Sequence, residues 1–129
     1  MSDDSEPIAA LPRPAYKDNP IWIEAISVTR AAYDLAEKVR PEDPLTARHL
    51  RRASVTIPAH LAGALSADDD GDARRDHVTT ALGALAEVTR QAERVGIGER
   101  EAAVDLARRA RELERAVSFQ LGDAGTLVC

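Results

Sequence analysis

Residues 21–39 read IWIEAISVTRAAYDLAEKV, and the spacing of their apolar side chains decides the fold. Ile21, Ala25, Val28, Ala32, Leu35 and Val39 recur at alternating intervals of four and three residues. That is the roughly 3.5-residue period that keeps one stripe of a helix turned toward a neighbour. A strand would alternate every second residue, and no such run competes. Pro20 suits the first turn of this helix, where its missing N–H has no partner to lose. Pro41 and Pro44 end it and leave a short link through Glu42 and Asp43.

The same reading extends down the chain. A second helix is expected over 45–65, with Leu50, Ala53, Ile57, Leu61 and Ala64 or Leu65 facing inward. Pro58 falls inside it, so the helix either kinks there or breaks in two; the continuing apolar pattern favours a kink. A third helix, over 70–95, carries Val78, Leu82, Leu85, Val88 or Thr89, Ala92 and Val95. Asp70 is its expected cap, Asp68–Asp72 oppose its dipole, and Gly96 and Gly98 stop it. A fourth, over 99–121, carries Ala103, Leu106, Ala110, Leu113 and Val117. Four helices of similar length with short links predict an all-α, antiparallel up-down four-helix bundle over 21–121. A flexible, acidic, proline-rich arm is expected over 1–20 and a tail over 122–129.

Composition agrees. The chain has 129 residues, enough for one domain, and is 44% hydrophobic but only 3% aromatic. No run approaches the 18–20 apolar residues of a membrane span. The acidic opening MSDDSE and the single cysteine, Cys129, point to a cytoplasmic protein with no internal disulfide. The seams are rich in small residues, and Ile23, Ile26, Tyr33, Val55 and Phe119 lie off them. These five either widen the intramolecular face or form a second stripe for self-association.

Little in the sequence carries chemistry. His49 and His60 sit three turns apart on one helix, about 16 Å along its axis, too far to share an ion. With His77 they read as solvated or capping residues, and no metal centre or cofactor is expected. SADDDG at 66–71 aligns Asp68 and Asp70 with calcium-ligand positions, but Ser66 and His77 stand where Asp and Glu belong, so capping is preferred. Asp34, Glu37, Glu87 and Glu93 suit solvated or i,i+4-paired charge on helices, Glu87 lying nearest a seam. No nucleophile–base pair or phosphate loop is present, so no catalytic residue is assigned and no enzyme is expected.

The formal charge is −5, yet Arg48, Arg51 and Arg52 occupy a stretch, from Leu45 to Ala67, that holds no acid. Arginine forks match phosphate and carboxylate, making these three the candidate site for a macromolecular partner. The competing reading pairs them with nearby acids such as Glu37 or the 68–72 loop, and the overall acidity favours it.

Several segments together resemble the bacterial "four helix bundle protein" family, which includes proteins encoded by intervening sequences in 23S rRNA genes and the accessory variability determinant (Avd) proteins of diversity-generating retroelements. The similar residues are Tyr16-Lys17-Asp18 with Trp22, Ala25, Tyr33 and Leu35; LRRASVTIP at 50–58; ALGALAE at 81–87; and Val95-Gly96-Ile97. The resemblance implies a four-helix protomer assembled as a ring-like homopentamer without enzymatic activity. For Avd-type members it implies association with a reverse transcriptase and nucleic acid. Where the family has Asn and Glu after the proline, this chain has His60 and Gly63, and its following loop is acidic. Accumulated positive charge drives phosphate affinity, so only weak nucleic-acid binding is expected. The reading favoured is a homo-oligomeric helical adaptor binding a macromolecular partner. An Avd-like accessory protein is the alternative, and an enzyme or ligand carrier using Glu87 or His60 inside the bundle is more distant.

Overall fold

The computed structural model describes residues 15–67 and 71–122. Four helices, α1 (Pro20–Val39), α2 (Pro44–Ser66), α3 (Asp72–Glu93) and α4 (Arg100–Leu121), form the all-α four-helix bundle, with no strand among the described residues. Sequential helices are neighbours, α2 and α3 pack most extensively, and the closure of α4 onto α1 is the slightest. Pairing runs antiparallel: Trp22 reaches Pro58 whereas Thr29, further along α1, reaches back to Ser54.

Each helix begins where local chemistry allows. Asn19 Oδ1 accepts from Ile21 N at 2.8 Å and caps α1. Asp43 caps α2, its carboxylate accepting from Thr46 N at 3.1 Å and Thr46 Oγ1 at 2.7 Å. At α3 the cap position belongs to Gly71, without a side-chain bond, and Asp72 supplies the negative charge in the first turn. Asp70, the expected cap, lies outside the described residues, as does Cys129. α3 also ends sooner than its apolar pattern, at Glu93, and a 3₁₀ turn (Ile97–Glu99) leads into α4.

The end of the expected flexible arm is ordered. Ala15–Asp18 form a 3₁₀ turn, and Tyr16 meets the Trp22 ring edge-on with centroids 5.4 Å apart. An aromatic edge against an aromatic face is favourable, so the arm's last residues dock on α1 rather than move freely.

The core follows the seams. Every seam residue named for α1 and α4 is buried, and the largest side chains removed from solvent are Leu35, Leu50, Ile57, Leu61, Leu85 and Leu106. Ala53, Leu82 and Val95 are only partly buried, while Ser54, Ala81 and Ala84 take inner positions instead. Eleven of the 24 buried apolar residues are alanines. The helices therefore approach closely while burying modest area, since large side chains supply most of the hydrophobic stabilisation at about 1.5–3 kcal/mol each.

Ser54 is buried with its hydroxyl donating to the Arg51 carbonyl at 3.0 Å, and its own carbonyl is tied to Pro58. Proline has no N–H to give the carbonyl four residues earlier, which here is that of Ser54. Thr29 Oγ1 on α1 donates to that oxygen at 3.1 Å, and Trp22 Nε1 donates to the carbonyl of Pro58 itself at 3.2 Å. The bond missing within α2 is replaced by one from α1. α2 accordingly runs unbroken through Pro58, which removes the alternative of two separate pieces. The kink stays an expectation from the ring's clash with the Ser54 carbonyl.

Two outcomes follow. Thr29→Val should cost about 1–3 kcal/mol in chemical denaturation by orphaning a buried carbonyl. In a Pro58→Ala background, where residue 58 regains its N–H, that cost should fall to less than about half; an undiminished cost would contradict the replacement. The Thr46 side-chain and backbone bonds hold the Asp43 carboxyl below its ordinary value of 3.8. A depressed folded pKa contributes stability that is present above 3.8 and lost as the pH falls through the folded value. The stability advantage of the native chain over Asp43→Asn should therefore shrink on acidification through that window, as read by denaturant midpoints.

Candidate functional site: the outer faces of the second helix

Arg48, Arg51 and Arg52 lie on α2, which the Asp43 cap starts and the Ser54, Ile57 and Leu61 face holds against the bundle. At 100° per residue they cover an arc of about 100° on its outer side, not a single line. Arg48 and Arg52 are exposed and Arg51 is half-buried. Among the described residues none of the three has an ion-pair partner. The expected pairing with Glu37 is not formed, because Glu37 faces Arg40 at 3.5 Å on its own helix. Asp72 pairs with Arg75, and the rest of the acidic loop, 68–70, lies outside the described residues.

Some arginines elsewhere are matched, whereas Arg30, Arg94, Arg100 and Arg115 are exposed and, like those of α2, form no ion pair among the described residues. Arg108 lies between Asp105 at 2.6 Å and Glu112 at 3.1 Å, and these bonds raise its pKa. Arg109 donates to Ser27 Oγ and faces Glu24 at 3.5 Å, tying α4 to α1. What sets the arginines of α2 apart is their clustering within five residues of one helix.

The two edges of this arc differ in character. Trp22 and Thr29 mark the side of α1 that meets α2, and Ile26 and Tyr33 follow each by one turn on that side. On α2, Arg51 and Val55 precede Ser54 and Pro58 by three residues, so they border the same seam. Tyr33 is 39% and Val55 47% exposed, and Ile23 on the outermost line of α1 is 53% exposed. Phe119 is 74% exposed. Ile23, Val55 and Phe119 thus stand free of the core rather than widening it; Ile26 is half-buried.

Arg52 points the other way, into a groove between α2 and α3 lined with His49, Ala53, Thr56, Thr80, Ala84 and Glu87. Glu87 lies on this groove, not inside the bundle. Bonds from Gln91 Nε2 at 2.6 Å and from Arg90 lower its pKa, so it is a carboxylate at neutral pH. An ionised, hydrogen-bonded carboxylate anchors neighbours and cannot act as a general acid. Gln91 is buried, with its Oε1 unpartnered.

The reading of solvated or capping histidines fails for two of the three. His60 of α2 and His77 of α3 are half-buried, with their Nδ1 atoms 3.0 Å apart and ring centroids 5.1 Å apart. One Nδ1–H donates and the other Nδ1 accepts. Gly63 makes the room: a Cβ there would stand 2.7 Å from the His77 ring. Of the two glycines inside helices, Gly63 marks this close approach and Gly83 marks none. Beyond this pair, no three His, Cys, Asp or Glu side chains converge among the described residues. His49 lies further along the groove, near enough to Glu87 to lower its pKa slightly.

Compared with known proteins, the chain matches no family model, no curated protein and no solved structure.

Two helical glycines should respond oppositely to alanine. Gly83 is exposed with nothing within 4 Å of a would-be Cβ. Gly83→Ala should stabilise the fold by about 0.5–1 kcal/mol through backbone entropy. Gly63→Ala should forfeit that gain, because the His77 ring must move. Equal effects in paired thermal melts would count against the packing of His77 on Gly63.

Proposed function

We propose that the protein is a non-enzymatic, cytoplasmic helical adaptor that assembles with copies of itself and uses the arginines of α2 to hold an acidic macromolecular surface. The observation that carries this reading is that Arg48, Arg51 and Arg52 are unmatched in a chain of net charge −5. Arg51 beside Tyr33 and Val55, with Arg48 and Arg52 following on the same outer arc, suits a carboxylate-bearing protein surface with apolar residues among its acids. The exposed Ile23, Val55 and Phe119, on a bundle whose core is rich in alanine, support self-association. No helix among the described residues is long and apolar enough to cross a membrane.

A second reading, an Avd-like accessory protein engaging a reverse transcriptase and its RNA, is favoured by the placement of the LRRASVTIP segment. Its Ser54 and Pro58 carbonyls bind α1 while its Arg51, Arg52 and Val55 face outward. The same stretch thus both builds the fold and presents a surface. The net charge of −5 and the four aromatic residues limit phosphate attraction and base stacking.

Sedimentation velocity at micromolar concentration should show a species heavier than the 13.9 kDa chain, a pentamer if the resemblance extends to assembly. A strict monomer would defeat the self-association. Single-stranded RNA should bind weakly, with affinity falling steeply as salt rises. Tight binding at physiological salt that vanishes in Arg51→Glu/Arg52→Glu would replace the protein partner with RNA.

A further inference from the structure

From the facing imidazoles of His60 and His77 we infer a binding site for a late first-row divalent metal ion, Cu(II) or Ni(II), bridging α2 and α3. The two Nδ1 atoms lie 3.0 Å apart. With metal–nitrogen bonds of about 2.0–2.1 Å, that separation subtends roughly 91–97° at an ion placed between them. An angle near 90° is that of two adjacent ligands in tetragonal or octahedral coordination, the geometry of Cu(II) and Ni(II), and it is narrow for tetrahedral zinc. Imidazole nitrogen is a good donor to both ions.

The rings are placed for this by the bundle. They come from different helices, are half-buried, and are confined on one side by Gly63, whose missing Cβ admits the His77 ring. In the metal-free pair one Nδ1 carries the shared proton. When the ion enters, that ring's proton moves to its own Nε2, both Nδ1 lone pairs go to the metal, and no bond in the backbone changes. The rings are tilted by 50° to one another, and a turn about their terminal torsions, which are broad, directs both lone pairs toward one point. With no third His, Cys, Asp or Glu converging among the described residues, water completes the coordination. The site is thus one of moderate affinity that bridges two helices and stabilises the folded state through binding.

The test uses the full chain carrying Cys129→Ser, so that the thiol does not compete, titrated with CuCl₂ in a non-coordinating buffer. Calorimetry should show one ion per chain, and electron paramagnetic resonance should show coupling to two nitrogens. Partners of a ligating histidine are already worth about 10–100-fold in affinity, so loss of a ligand should weaken binding at least about tenfold. His60→Gln and His77→Gln should each do so, and Gly63→Ala should weaken it by displacing the ring, while His49→Gln leaves it unchanged. A second measurement needs no histidine variant: substoichiometric Cu(II) should broaden the ring-proton resonances of His60 and His77 before those of His49. Unchanged affinity in both histidine variants, or broadening that spares His60 and His77, would reduce the contact to a hydrogen-bonded pair and overturn the site.

Discussion

The carbonyl of Ser54 cannot be left without a donor, and much of the arrangement of α1 and α2 follows from where its donor comes from. A buried carbonyl without a partner costs on the order of 1–3 kcal/mol, and Pro58 removes the N–H that would have served it. Thr29 takes over that role, and Trp22 holds the carbonyl one turn further along. Two directional bonds from one helix to the backbone of the next fix their relative height as well as their proximity. Apolar packing alone sets such a register weakly, because alanine seams offer few distinctive knobs. Trp22 also receives Tyr16 on its ring edge-on, so the segment before α1 is ordered by the same anchor.

With that register set, the outside of α2 acquires two different borders. Toward α1 stand Arg51 and Val55 with Ile26 and Tyr33; toward α3 stand Arg52, His49, Thr56 and then the His60–His77 contact. The first border mixes unmatched positive charge with exposed apolar area, the composition of a surface that gains by being covered. The second is polar and concave, with its one carboxylate, Glu87, already engaged by Arg90 and Gln91. The apolar edge beside Arg51 and the proposed ion site at His60 and His77 therefore lie on opposite flanks of one helix. The separation follows from helical geometry: at 100° per residue, consecutive residues such as Arg51 and Arg52 diverge sharply.

Surface ion pairs add little to this framework. Most join residues three or four apart along one exposed stretch of helix, as in Arg40–Glu37 and Arg108–Glu112, where solvent screening leaves little net attraction. Arg109 differs, because it is partly buried and reaches from α4 to Glu24 and Ser27 of α1. It supports the side of the bundle where packing is slightest.

The sequence by itself determined the four helices, their antiparallel order and nearly all of the core, because 3.5-residue periodicity, prolines and glycines are local signals that burial then satisfies. The Asp43 cap and the seams of α1 and α4 belong to that class. Local signals failed where one residue answered to another helix. Ser54 rather than Ala53 takes the inner face, its hydroxyl satisfied by the Arg51 carbonyl and its own carbonyl by Thr29, and α3 closes at Glu93, ahead of Gly96 and the 3₁₀ turn that begins at Ile97. The three arginines were legible as a charge run, but their lack of partners was a property of tertiary placement: Glu37 found Arg40 instead. His60 and His77 were legible only as two unrelated histidines seventeen positions apart. Only the packing of α2 on α3 over Gly63 could bring their Nδ1 atoms together, since proximity across two helices depends on register and rotation that neither helix encodes alone.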